Sequence, residues 1–167
     1  MGDKTQRNLY EAFVGEAKAH RRLLAFARKA EEEGYPQVAK LFRAISAAEG
    51  VHADNHLRLL GETVVRDTQT NLNFSFETEK TVNGVYYPQF IKEAEEEENR
   101  TAAFSFSQAR DVEEGHAKLY EKALRYLLRD EDADYYVCQV CGYVSDGVLP
   151  EVCPICGAKK ERFRRIQ

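Results

Sequence analysis

Two tetrapeptides, Glu49-Gly-Val-His52 and Glu113-Glu-Gly-His116, each set a carboxylate three residues ahead of an imidazole. On a helix that spacing puts both groups on one face about a turn apart, where a single ion can touch both. Two further glutamates, Glu16 and Glu79, precede the glutamates of these motifs by 33 and 34 residues. Four carboxylates and two imidazoles of this kind are the ligand set of di-iron or di-manganese carboxylate bundles. Hard oxygen donors with a little nitrogen fit iron or manganese better than a soft-ligand metal. A lone Glu-x-x-His on a charged helix is ordinarily a solvated pair. Here the motif occurs twice and interrupts an apolar stripe, where bare carboxylates are costly without a cation. His20 and His56 lie on similar faces without a repeated partner and read as core or supporting histidines.

A second chemistry sits at the other end of the chain. Cys138-Gln-Val-Cys141-Gly and Cys153-Pro-Ile-Cys156-Gly hold all four cysteines, with eleven residues between the two knuckles. Gly142 and Gly157 let backbone amides turn toward the thiolates. Paired Cys-x-x-Cys in a chain expected to be cytoplasmic favours a tetrahedral metal site over two disulfides. Spacing leaves zinc and a single iron open, since both accept four thiolates. The Cys-Pro-Ile-Cys-Gly knuckle and the flanking Tyr136, Tyr143 and Phe163 favour iron, which would serve as a one-electron carrier.

The elements that must position these groups follow from periodicity. Apolar residues recur at helical spacing from Thr5 to Arg129, as in Leu9, Phe13, Ala17, Leu24 and Leu41, Phe42, Ile45, Ala48. Gly34-Tyr35-Pro36 separates the first helix from the second, which ends near Gly61. The Thr- and Asn-rich residues 62–76 predict a long crossover, followed by helices over about Glu77 to Glu98 and Arg100 to Leu128. The expected fold is mainly α, a ferritin-like four-helix bundle over residues 1–130, followed by a small β-rich module over 131–167 that begins after the acidic stretch Asp130 to Asp134. The helical part repeats itself: a shift of 64 carries Phe26 to Phe90, Ala30 to Ala94, Ala39 to Ala103, Phe42 to Phe106, Glu49 to Glu113 and His52 to His116. Upstream the register slips, because Glu16 precedes Phe26 by ten residues and Glu79 precedes Phe90 by eleven. A π-bulge near Pro88 would absorb the extra residue.

Composition sets the outer limits. The 167 residues carry 24 Lys+Arg against 28 Asp+Glu, a net charge of −4, which argues against nucleic acid as a partner. No stretch has the run of about 18 apolar residues that a membrane helix needs, and the first ten residues lack the apolar core of a signal peptide. A cytoplasmic protein without a membrane partner is expected.

Taken together, Gly15-Glu16, Ala48-Glu49 through His52, Glu79, Tyr87-Pro88, Glu113 through His116 and both cysteine knuckles resemble the rubrerythrin family, a ferritin-like di-iron bundle followed by a rubredoxin module. The likeness spans nearly the whole chain. It implies a peroxidase that reduces hydrogen peroxide to water, with electrons passed from the rubredoxin iron to the di-iron pair. It also implies an external donor, such as rubredoxin or an NAD(P)H-dependent reductase, and a homodimer or larger assembly in which one subunit's rubredoxin module lies near another's bundle. By position, Glu49 and Glu113 would bridge two irons, Glu16 and His52 would hold one of them and Glu79 and His116 the other, with Tyr87 hydrogen-bonding near the site. Glu16, Glu49, Glu79, Glu113 and Tyr87 are thus the expected catalytic residues, and Cys138, Cys141, Cys153 and Cys156 would hold the third iron, with zinc as the alternative.

The sequence departs from the family pattern at two positions. The family usually carries a second glutamate three residues after the one matched by Glu79, and its metal moves between that glutamate and the histidine matched by His52; here Val82 stands instead. Leu23 replaces a common tyrosine, for which Tyr10, Tyr86 and Tyr120 are the nearby phenols. The alternatives are a ferroxidase or iron-storage protein, and a binding protein bearing a structural zinc ribbon.

Overall fold

The computed structural model describes residues 2–127 and 133–167. The expected boundary at residue 130 and most of the acidic stretch lie outside the described residues. The chain forms two compact units, Met1–Arg66 and Asp67–Gln167.

The first unit is a helical hairpin of α1 (Asp3–Glu32) and α2 (Pro36–Leu60). Gly34, at φ 82°, takes the left-handed conformation that ends α1, and the Tyr35 amide reaches back to the Ala30 carbonyl at 2.7 Å. Pro36 then opens α2, where its missing N–H costs nothing. Small residues let the helices close: Ala27, Ala30 and Ala39 are buried, with Phe42 packed over them.

The second unit begins earlier than the sequence predicts. Helix α3 (Thr68–Thr81) takes in most of the segment expected as a crossover. Its cause is Asp67, whose carboxylate accepts from the Thr70 amide at 2.9 Å and from the Thr70 hydroxyl at 2.6 Å. This N-cap outweighs the weak helix preference of Thr and Asn that follows it. The connection between the units shrinks to a 3₁₀ turn (Gly61–Thr63) and a few residues. A π-helix (Val82–Tyr86) joins α3 to α4 (Tyr87–Glu96), and the Tyr87 amide bonds to the Val82 carbonyl five residues back. The expected bulge is therefore present between Glu79 and Phe90. Helix α5 (Arg100–Tyr126) follows, capped by the Asn99 side chain on the Ala102 amide.

The internal repeat holds in three dimensions. Phe26 meets Phe42 with ring centroids 5.7 Å apart, and their counterparts Phe90 and Phe106 meet at the same 5.7 Å. Ala94 and Ala103 are buried like Ala30 and Ala39. At the second turn Glu98 occupies the place of Gly34 at φ 56°, and the Asn99 amide bonds to the Ala94 carbonyl at 2.8 Å.

The C-terminal module is a three-stranded antiparallel sheet of β1 (Tyr135–Cys138), β2 (Val144–Asp146) and β3 (Phe163–Ile166) in the order β2-β1-β3. Cys138 pairs with Phe163 across it, and Tyr143 meets Phe163 edge-on at 6.4 Å. No helix among the described residues is long and apolar enough to cross a membrane.

Candidate metal centres

Ligand atoms of Glu16, Glu49 and His52 lie within 4.8 Å of one another in the first unit, as do those of Glu79, Glu113 and His116 in the second. In each trio one helix supplies a lone glutamate and its neighbour the Glu-x-x-His. The histidine turns Nδ1 toward the glutamate of its own motif, at 2.9 Å for His52 to Glu49 and 2.8 Å for His116 to Glu113. His116 Nδ1 also lies 3.9 Å from Glu79.

The chemistry of the second trio fits a cation. The Glu79 carboxyl is pushed up to about 7, first by burial, then by its hydrogen bond to Glu113 and that group's like charge, while His116 opposes the rise. A buried carboxyl held protonated beside a second carboxylate is one that a divalent ion would satisfy. Tyr87 is raised for related reasons, burial first and then the charges of Glu113 and Glu79, so its phenol stays protonated beside the trio. Its ring packs on Phe90 and Phe106 at 6.1 and 6.3 Å.

The four cysteine sulfurs also lie within 4.8 Å of one another. The Cys138–Cys156 and Cys141–Cys153 sulfurs are 3.7 and 3.6 Å apart, far beyond a disulfide's S–S bond of about 2.05 Å. A tetrahedron with metal–sulfur bonds of about 2.3 Å has edges near 3.8 Å, so these separations fit a four-thiolate cage. Gly142 and Gly157 take φ of 86° and 72° and turn the chain back on itself. The Tyr143 and Ala158 amides then point at the sulfurs of Cys141 and Cys156. Burial nevertheless leads and holds both of these thiols above the usual range. At Cys138 burial also opposes ionisation, but the Cys141 and Val140 amides and the thiols of Cys156 and Cys141 outweigh it and hold the thiol low. A cation would relieve the two raised thiols.

The module and α5 meet at the second trio. His116 Nε2 lies 3.2 Å from the Gly142 carbonyl, which can only accept, so Nε2 donates and Nδ1 is left facing the carboxylates. Val112 lies under Gly142, and Lys122 pairs with Asp146 of β2. This contact runs within one chain.

Sequence reasoning missed three groups around these sites: Ser46, which is fully buried and bonded to His20, Asn83, and the Gly142 carbonyl. Ser46 interrupts the apolar stripe one turn before Glu49, which was the available signal. His20 bonds to Ser46, and among the described residues the Nδ1 of His56 is buried without a hydrogen-bond partner. Tyr10 and Tyr86 are about half exposed and packed on Phe13 and Phe90.

Two family models match the chain: Rubrerythrin over residues 7–124, and the rubredoxin-like domain of rubrerythrin over residues 136–164. Nigerythrin of Nitratidesulfovibrio vulgaris, strain Hildenborough, is 35% identical over 95% of this chain and 85% of its own length. Rubrerythrin-2 of Clostridium acetobutylicum is 32% identical over 93% of each. A solved structure of nigerythrin in a partially reduced state superposes with a TM-score of 0.60 at 34% identity, covering 99% of this chain and 88% of that one.

Proposed function

The chain belongs to the rubrerythrin family of di-iron oxidoreductases, and on that premise we propose that it is a peroxidase that reduces hydrogen peroxide to water, drawing electrons through its own four-cysteine site. The observation that carries this reading is the imidazole of His116, which turns one nitrogen to the Glu79–Glu113 pair and the other to the carbonyl beside Cys141. One side chain thus joins the carboxylate trio to the residue that follows Cys141. Iron storage has no use for a one-electron site joined to the ligand trio in this way, and a scaffold carrying a zinc ribbon has no use for a glutamate pair and histidine gathered within 4.8 Å of one another.

In this proposal Glu16, Glu49 and His52 of the first unit and Glu79, Glu113 and His116 of the second would hold the irons. When bound, the iron pair supplies the two electrons that peroxide reduction consumes, and the four-cysteine iron replaces them singly. The chain's residues supply the rest. Reduction of one peroxide to two waters takes up two protons, and Tyr87 holds one on a phenol kept neutral by burial and by the adjacent carboxylates. His116 holds its Nδ1 toward the carboxylates because Gly142 fixes the other nitrogen as a donor. With Val82 in place of a glutamate, position 82 offers no ligand oxygen, so His52 would be the residue that holds its iron in both redox states.

We further propose a helical domain over residues 1–130 and a rubredoxin-like domain over 131–167, in a cytoplasmic homodimer or larger assembly. Its electrons come from rubredoxin or an NAD(P)H-dependent reductase.

The test is a visible spectrum of the iron-loaded chain, reduced with dithionite and freed of excess reductant. The red ferric-thiolate band should return promptly when hydrogen peroxide is added. A colourless protein with zinc in the cysteine site would remove the internal electron path. Rapid consumption of oxygen with ferrous iron as substrate, and no response to peroxide, would favour the ferroxidase.

A further inference from the structure

Each ligand trio has a hydrogen-bonded tie beside it, built from different side chains in the two halves of the repeat. In the first unit His20 Nδ1 lies 2.8 Å from the Ser46 carbonyl and 3.0 Å from the Ser46 hydroxyl, and that hydroxyl donates to the His20 carbonyl at 2.9 Å. A carbonyl can only accept, so Nδ1 carries the proton. The tie is reciprocal, and its Ser46 end is fully buried. In the second unit the Asn83 amide nitrogen donates to the Arg110 carbonyl at 2.6 Å.

These two ties occupy equivalent places. His20 follows Glu16 by four residues and Asn83 follows Glu79 by four; Ser46 precedes Glu49 by three and Arg110 precedes Glu113 by three. The helices of each pair run in opposite directions, so four residues forward on one and three back on the other arrive at the same level, one turn from the ligands. The Nδ1 of histidine and the amide nitrogen of asparagine sit at the same distance from the backbone, which lets either residue make the bond. In the second unit the bond is made from inside the π-helix Val82–Tyr86. The bulge thus falls where it swings the residue four past Glu79 toward Arg110.

We infer that His20 and Asn83 are positioning residues, each pinning the helix with the lone glutamate to the helix with the Glu-x-x-His so that the trio is preformed before a metal arrives. Neither residue is a ligand. The carbonyls they hold belong to the turn that carries Glu49 or Glu113, so a tie fixes the spacing between one carboxylate and the other two ligands. Isolated carboxylates repel each other, and a hairpin without the tie would relax by letting that spacing grow.

The inference rests on the reading that the trios hold iron, and its test separates the two. The full chain, with iron in its four-cysteine site and its helical sites stripped, is titrated anaerobically with ferrous iron against a chromophoric chelator. The parent should take up two ions; uptake of none would overturn the iron reading itself. His20→Leu, which keeps bulk and removes the donor, should weaken one of the two ions about tenfold or more, and that ion more than the other, the range seen when supporting partners of metal ligands are removed. His20→Asn should stay within about threefold of the parent, because asparagine already does this work in the second unit. Asn83→Leu should weaken the other ion, and Asn83→His should restore it. Red absorbance and helical circular dichroism report that each variant is folded. Both ions binding at parent strength in His20→Leu and Asn83→Leu would overturn the inference. It would equally be overturned if His20→Asn bound as poorly as His20→Leu, since the imidazole itself would then be required. Should His20→Leu lose its helical signal, the Asn83 pair carries the test alone, because leucine matches asparagine in shape and favours helix.

Discussion

At Glu79 and Glu113 the proton and the metal compete for the same oxygens. In the metal-free chain Glu79 keeps its proton until about pH 7, because burial, its hydrogen bond to Glu113 and that group's like charge raise it. A divalent ion must displace that proton to enter, so binding to this trio should weaken as pH falls. The loss should approach tenfold per pH unit below about 7 and level off above it, where the proton has already left. Manganese(II) titrations at several pH values would read this directly, and a flat profile between pH 5.5 and 7 would contradict a protonated Glu79. Three residues beyond Glu79, Val82 offers no oxygen at the place where the family usually has one. Val82→Glu should therefore give a chain whose metal separation changes on reduction, while the parent's does not. Crystals of both proteins in both redox states would show it, and equal separations throughout would sink the idea.

At the scale of elements, the two hairpins are one design executed twice with different residues at the turn. Gly34 and Glu98 hold the same left-handed place, yet only one of them is glycine. A side chain there costs about 1 kcal/mol. Glu98→Gly should raise stability by up to about that amount and Gly34→Ala should lower it by a similar amount, read by thermal melts of the apoprotein; no change in either variant would mean that the turn relaxes. Much of this architecture was legible in sequence because it rests on residues with strong local signals. Gly34-Tyr35-Pro36 marked one turn, the shift of 64 paired the Glu-x-x-His motifs, and the slip to eleven residues before Phe90 located the π-helix. What escaped had a weaker signal or none. The start of α3 depends on a single capping carboxylate, Asp67, ahead of residues that disfavour helix. The ties at His20 and Asn83 end on backbone carbonyls, whose positions no residue type reveals.

At the scale of the molecule, the placement of the cysteine module against α5 decides whether electrons need leave the chain. The module's sheet is closed by its own pairing and by the four cysteines, and little in its sequence announces which helix it meets. The structure holds it there through His116 to Gly142, Val112 beneath Gly142, and the ion pair of Lys122 with Asp146. Of these the ion pair can be altered without touching a ligand. Lys122 is 57% exposed and Asp146 only 16%, so the carboxylate would be left poorly solvated beside a like charge in Lys122→Glu. An exposed ion pair contributes up to about 1 kcal/mol, which is about fivefold in the fraction of docked module. The return of the red band after peroxide should slow by about that factor in Lys122→Glu, with an unchanged band position. The double reversal Lys122→Glu, Asp146→Lys should recover most of the rate, and added salt should shrink the difference between single and double variants. A parent-like rate in Lys122→Glu at low salt would mean that electrons reach the helical site without this docking, and would move the electron path from within the chain to between chains.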